Sequence, residues 1–238
     1  MPNVLVLHGF TSHPILTMGP LPEVLRQAGY TLAQPALPGH GTRPEDLRGV
    51  KWGDWERVAR EAYLSLPEPR AIVSLSMGGL LAAKLAAEYK PAALVALVPA
   101  LGFVNKAAYL APYIHWFMPW AGGTASVRDA EQRKQSPNYP RFPTVALAEM
   151  VKLQRQIPAL LPKVTAPALV MQAAHDSTIP EFEVRRYYNL LGSRQKKYKV
   201  YDSEHDLLLD TEADKVAADI RDWLLKVSPP IGAARARQ

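Results

Sequence analysis

The sequence predicts an α/β fold, a mostly parallel sheet with helices on both faces. Two observations predict it. Short apolar runs recur along the chain in the manner of strands buried on both faces. Between them, apolar residues recur at helical spacing, and alternating strands and helices imply a parallel sheet. A length of 238 residues fits one domain able to bury a sizeable core.

The first strand is Val4-Leu5-Val6-Leu7, ended by His8-Gly9. Similar runs lie at residues 30–34, 71–75, 93–98, 168–172 and 198–201. Helical patterns fall between them. Residues 21–28 end at Gly29, residues 54–65 form a second pattern, and residues 77–89 stop before Pro91. Residues 181–191 end at Gly192. Residues 211–227 form the last helix, with Thr211 and Asp214 spaced like a capping box.

Residues 101–161 break the alternation. They hold no convincing strand, several aromatic residues (Phe103, Tyr109, Tyr113, Trp116, Phe117, Trp120) and a helical stretch near residues 145–157. The reading is a helical cap inserted between the fourth and fifth strands, with residues 1–100 and 162–227 as the core. The alternative is a surface helix pair with no role at the site. Residues 228–238, with Pro-Pro and Gly, read as a frayed tail.

The chain has no cysteine, which excludes disulfides, thiolate metal sites and a cysteine nucleophile. Its net charge is +6, but the basic residues are scattered. Apart from residues 194–199 and the terminal Arg235 and Arg237 they form no cluster. No basic stripe interleaves with aromatics, so ordinary solubility is the reading preferred over nucleic-acid binding. The N-terminal MPNVLVLHGF lacks a signal-peptide pattern and no run is long enough to span a membrane. A cytoplasmic location is expected.

The chemistry centres on Ile72-Val73-Ser74-Leu75-Ser76-Met77-Gly78-Gly79, where a buried strand turns sharply into a helix. A serine at such a turn stands above the sheet edge with its hydroxyl free to attack. A tight turn needs small residues two before and two after, and Ser74 and Gly78 meet that demand. A serine there could equally be a helix N-cap, so its strand-turn-helix context carries the assignment. The Met77 N–H opens the following helix, where unpaired donors and the dipole favour an anion. Phe10, in the loop after the first strand beside Gly9, is the expected second oxyanion donor.

A serine hydroxyl needs a base. Among six histidines (His8, His13, His40, His115, His175, His205), His205 follows the last strand, where sites in such folds collect. His40, in Pro38-Gly39-His40-Gly41, is the rival and is read as shaping its loop. The base needs an acid to fix its tautomer. Asp176 follows the fifth strand, whereas Asp202, Asp206 and Asp210 share the histidine's own loop. Asp210 is better explained by the dipole of the last helix.

At these residues the sequence resembles the α/β-hydrolase superfamily, and within it the small bacterial carboxylesterases related to monoacylglycerol lipases. The resemblance rests on Leu7-His8-Gly9-Phe10-Thr11, residues 35–41, Leu75-Ser76-Met77-Gly78-Gly79, Gln172-Ala173-Ala174-His175-Asp176 and Ser203-Glu204-His205, and spans the chain to about Val227. It implies Ser76 as nucleophile, Asp176 and His205 as its partners, and Phe10 and Met77 as oxyanion donors. It also implies that the chain starts at the family's third strand, giving a sheet of about six. Two departures stand out. Ser74 and Glu204 occupy positions where the family usually has glycine, and Glu204, if close, would raise the pKa of His205.

The implied function is hydrolysis of carboxylic esters through an acyl-enzyme, with no metal or cofactor and a small-molecule ester as partner. The same triad would serve a lipase, a thioesterase or a carbon–carbon hydrolase. A non-catalytic binding protein of this fold is the remaining alternative. Tyr109, Trp116, Phe117 and Trp120 are expected to line an acyl pocket.

Overall fold

The computed structural model describes residues 3–123, 126–128, 133–134 and 136–229. Residues 230–238, most of the expected tail, lie outside this set. In chain order the sheet strands are β1 (Asn3–Leu7), β2 (Thr31–Ala33), β3 (Arg70–Leu75), β4 (Ala93–Leu97), β7 (Ala168–Ala173) and β8 (Lys196–Tyr201). They form one six-stranded sheet in the order β2-β1-β3-β4-β7-β8. Every pairing is parallel, with Leu7 beside Ser74, Ser74 beside Ala96 and Leu97 beside Met171.

The central strands β1, β3, β4 and β7 are buried along nearly their whole length. Successive side chains therefore feed two cores. Leu5, Leu7 and Ile72 face one, packed by α2 (Trp52–Ser65), α3 (Met77–Tyr89), α5 (Thr144–Gln154) and α6 (Glu181–Leu190). Val4, Val6 and Val73 face the other, packed by α1 (Leu21–Gln27) and α7 (Ala213–Val227). Among the described residues no helix is long and apolar enough to cross a membrane.

Residues 101–161 differ from the expectation in two ways. They contain strands after all: β5 (Trp120–Gly122) and β6 (Arg141–Pro143) form a short antiparallel pair. Each is three residues long and bordered by Pro or Gly, too brief to leave a period in the sequence. The helical stretch, α5, runs with the core. Its Met150, Val151 and Leu153, and then Ile157 and Leu161, pack in the same cluster as α2 and α3. It is the crossover from β4 to β7, so the roof over the strand ends comprises the residues before it, including the one-turn α4 (Ala111–Ile114).

The capping box expected at Thr211 and Asp214 does not form. Helix α7 starts at Ala213 with Glu212 as its cap and no side-chain capping bond. The Thr211 hydroxyl is turned away to the Asp202 carbonyl instead. Asp210, expected to serve that helix's dipole, ties loops together: Oδ2 accepts from the Ser203 hydroxyl and the Glu204 N–H, and Oδ1 from the Arg128 N–H.

Candidate active site

Ser76 follows the last residue of β3 and has φ 53° and ψ −114°, a strained conformation for a non-glycine residue that costs on the order of 1–3 kcal/mol. Its surroundings hold it there. The Ser76 N–H donates to the Leu97 carbonyl (2.9 Å), and the Ser76 carbonyl accepts from Gly79 (2.9 Å) and Ala100 (3.2 Å). Helix α3 then sets off against β1 at van der Waals contact. A Cβ added at Gly78 would lie 2.6 Å from the Leu7 carbonyl oxygen, so only glycine fits.

His205, in the loop after β8, places Nε2 2.9 Å from the Ser76 Oγ. Its Nδ1 lies 2.8 Å from Asp176 Oδ2. A carboxylate only accepts, so Nδ1–H donates to Asp176 and Nε2 is left to accept from the Ser76 hydroxyl. Asp176, after β7, is oriented in turn: its Oδ1 accepts from the Thr178 N–H (2.9 Å) and the Ile179 N–H (2.7 Å). Burial acts to lower the His205 pKa, but the Asp176 carboxylate, with Asp206 and Glu204 adding to it, more than offsets burial and raises it above the ordinary value. Three strand-end loops thus converge on one proton path from Ser76 to Asp176.

The other acids of the histidine loop do other things. Asp202 is exposed and binds His175 (2.7 Å) and Arg128 (2.6 Å). Asp206 is buried and accepts from the Asn138 amide. Glu204 accepts from the Ser177 N–H and hydroxyl.

Phe10 follows Gly9 in the loop after β1 and lines the cavity, and Met77 opens α3 directly after Ser76; neither N–H is paired with a protein acceptor among the described residues. Gly9 brings the Phe10 loop close, since a Cβ there would stand 3.3 Å from the Ser76 Cβ. That loop is anchored by histidines. His8 Nδ1–H donates to the Gly9 carbonyl (2.8 Å), and the Leu37 N–H donates to His8 Nε2 (3.1 Å). The His40 ring packs on His8, Phe10 and Trp55, and its Nδ1 meets the Pro38 carbonyl. Burial, with His40 nearby, lowers the His8 pKa to about 3, and burial lowers that of His40 to about 4. Both rings are neutral struts.

A cavity of about 530 Å³ opens above Ser76 and His205. Much of its lining is apolar, with Ala111, Ile114, Met118, Leu147 and Met150 among the residues that form it. Of the four aromatics expected at the pocket, Trp120 lies on the wall, stacked against Arg48 (4.8 Å) and Arg141 (4.5 Å). Tyr109, Trp116 and Phe117 do not line it. Tyr109 braces Phe103, accepting from its N–H. Trp116 and Phe117 are 76% and 56% exposed and face solvent. Helix α4 has one turn only, so Ala111 and Ile114 take its inner face and the aromatics after it fall outside. Sequence reasoning missed Asn138 and Ser126 on the polar wall, and no local pattern marks either. Among the described residues no group of three or more His, Asp or Glu side chains is placed to hold a metal.

The fold and this arrangement define an α/β-hydrolase. The model of the family described as "Serine aminopeptidase, S33" matches residues 2–212, and the chain belongs to that hydrolase family. It is 31% identical over 218 residues to the thermostable monoacylglycerol lipase of Bacillus sp. (strain H-257), covering 87% of this chain and 84% of that protein. It is 26% identical over 232 residues to the carboxylesterase of Bacillus subtilis (strain 168), covering 94% and 92%. A solved structure from work on two metagenome-derived lipolytic enzymes superposes with a TM-score of 0.89 at 26% identity, over 94% of each chain. The monoacylglycerol lipase of Paleococcus ferrophilus shares the fold, with a TM-score of 0.80 at 20% identity and 95% coverage of each chain.

Proposed function

We propose that the protein hydrolyses carboxylic esters through an acyl-enzyme formed on Ser76. The observation that carries this is the continuous path from the Ser76 hydroxyl through His205 to Asp176, opening into a largely apolar cavity. His205 takes the Ser76 proton as the oxygen attacks the ester carbonyl. The Phe10 and Met77 N–H groups receive the developing oxyanion. His205 then gives its proton to the leaving alcohol. Water enters, loses a proton to His205 and attacks the acyl carbon; the bond to the Ser76 oxygen breaks, that oxygen takes the proton back from His205, and the acid is released.

The family is described by a peptidase and the two relatives by a lipase and an esterase. The apolar wall favours an acyl chain and hence the ester reading, with short to medium chains suited to a cavity of about 530 Å³. The roof between β4 and α5 is assigned the choice of acyl chain. Ile114, Met118 and Trp120 on the cavity wall support this.

Treatment with a fluorophosphonate and intact-mass analysis tests the nucleophile. One adduct, mapped to Ser76 and absent in Ser76→Ala, is expected, together with turnover of nitrophenyl esters from acetate to palmitate that peaks within the series. An adduct on Ser12, Ser74 or Ser177 would overturn the assignment.

A further inference from the structure

We propose that Asp206, with Asn138 beside it, forms a polar subsite that binds a hydrogen-bond donor carried on the leaving-group side of the substrate. The proposal rests on the ester-hydrolase reading above.

Asp206 lies on the cavity wall although only 3% of it is exposed. Burial pushes its carboxyl up to about 6, so it is an anion at neutral pH. Among the described residues no lysine or arginine pairs with it, and its side-chain donor is the Asn138 amide, 2.9 Å from Oδ2. The Ser126 backbone N–H also donates to this carboxylate. A carboxylate has acceptor capacity for about four bonds, and leaving the remainder unmet in a buried place is costly. Asn138 adds to the excess, because its Oδ1 is buried and has no partner. The Ser126 and Thr178 hydroxyls, 3.1 Å apart, line the same cavity. The corner is thus rich in acceptors and calls for a ligand that donates.

Chemistry says which part of the substrate reaches it. His205 must pass its proton from Nε2 to the leaving oxygen, so the alcohol portion emerges on the histidine's side of the cavity. Asp206 is the next residue in the chain and lines the same cavity, and its carboxylate lies close enough to His205 to interact with the imidazole electrostatically. The acyl chain takes the apolar part of the lining, at Ile114, Met118 and Leu147. A hydroxyl or an ammonium a short distance beyond the ester oxygen would supply the donor.

Three butyrate esters test this: 2-hydroxyethyl and propyl, which are matched in size, and the bulkier 2-(dimethylamino)ethyl (cationic at pH 7). The wild type is expected to prefer at least one donor ester over the propyl ester by roughly ten-fold in kcat/KM, the worth of a hydrogen bond to a charged group. A preference for the hydroxyethyl ester assigns the subsite to hydroxyls, and one for the aminoethyl ester assigns it to a cation. Asp206→Leu should bring that ratio close to one. If that variant does not fold, Asp206→Asn makes the same comparison, with a several-fold fall that is larger for the cationic ester. No preference in the wild type, or an unchanged ratio in the folded variant while all three rates fall together, overturns the proposal and leaves Asp206 a packing residue. Ser76→Ala must lose all three activities. Retention there would overturn the ester-hydrolase reading itself, a result distinct from failure of the subsite.

Discussion

The Ser74 hydroxyl donates a 2.9 Å hydrogen bond to the Val95 carbonyl of the neighbouring strand. Ser74 stands two residues before Ser76, where glycine is usual in the relatives this sequence resembles. Its extra atoms are absorbed between β3 and β4 and do not crowd the turn. Ser74→Ala is therefore expected to cost about 1 kcal/mol of stability, the worth of one buried hydrogen bond, and to leave turnover within a few-fold. Urea denaturation and nitrophenyl butyrate hydrolysis measure the two. A loss of activity by orders of magnitude would show that the hydroxyl serves the turn directly.

The proton path sets a second expectation. His205→Ala should lower kcat by roughly 10⁴-fold or more, as loss of a relay member does in serine proteases. Asp176→Asn should be severe too, because an amide in place of the carboxylate removes control of the imidazole tautomer. Asp202→Asn should be mild, since Asp202 binds His175 and Arg128 on the exposed side. Steady-state kinetics of the three variants decides this, and an Asp202→Asn defect equal to that of Asp176→Asn would refute the assigned path.

The pH profile follows from the raised pKa of His205. The base must be neutral, so activity should rise with pH with a midpoint above the ordinary histidine value of about 6.5. Glu204 contributes to that shift, so Glu204→Gln should move the midpoint of kcat/KM downward. An unmoved midpoint would show that this carboxylate is not coupled to the imidazole.

Stability should fall in acid for a reason that lies beside the relay. His8 and His40 have folded-state pKa values lowered to about 3 and about 4, below the unfolded value. Between those values and about 6.5 the unfolded chain binds more protons than the folded one, so stability is complete above about 6.5 and declines as pH falls. For His40 alone the full effect is on the order of 3 kcal/mol. Asp206 and His205 oppose it, because the raised carboxyl gains protons in the folded state as pH drops through about 6 and the raised imidazole does so at higher pH, but the large shifts of His8 and His40 outweigh them. Urea midpoints at pH 7.5 and pH 5 should differ accordingly, and His40→Asn should flatten the dependence. A midpoint independent of pH would mean the rings are charged when folded.

Chain-length selection should follow the wall that faces the cavity. Each buried methylene is worth about 0.8 kcal/mol, roughly a four-fold step in kcat/KM per carbon until the space is filled. Trp120→Ala should change the ratio of kcat/KM for butyrate and decanoate esters. Trp116→Ala and Phe117→Ala should not, since both side chains face solvent. An equal change in all three would refute the wall as drawn.

Much of this was legible from residue order alone. The strands β1, β3, β4 and β7 are apolar runs with no competing period, and glycine or proline marks their borders. That Ser76, Asp176 and His205 would meet follows from their places after β3, β7 and β8. What could not be read depends on distant partners. The β5–β6 pair joins Trp120 to Pro143 across intervening roof residues, and neither strand is long enough to show alternation. The contact of Asn138 with Asp206 spans 68 positions. The outward turn of Trp116 and Phe117 follows a helix of four residues, which has too few positions to display a face.

The path of the chain around the roof bears on how such proteins diversify. The polypeptide leaves the sheet after β4 and returns at Thr144, whose N–H donates to the Pro119 carbonyl, to begin the crossover helix α5. The residues between can be inherited as a separable module. Lengthening them or exchanging them for another lineage's segment leaves the strand order and the order of Ser76, Asp176 and His205 along the chain untouched, provided the new segment replaces what Leu101, Phe103 and Tyr139 give one core and what Arg128 and Asn138 give the histidine loop. Selection can rewrite which molecules are admitted without rediscovering how they are cut.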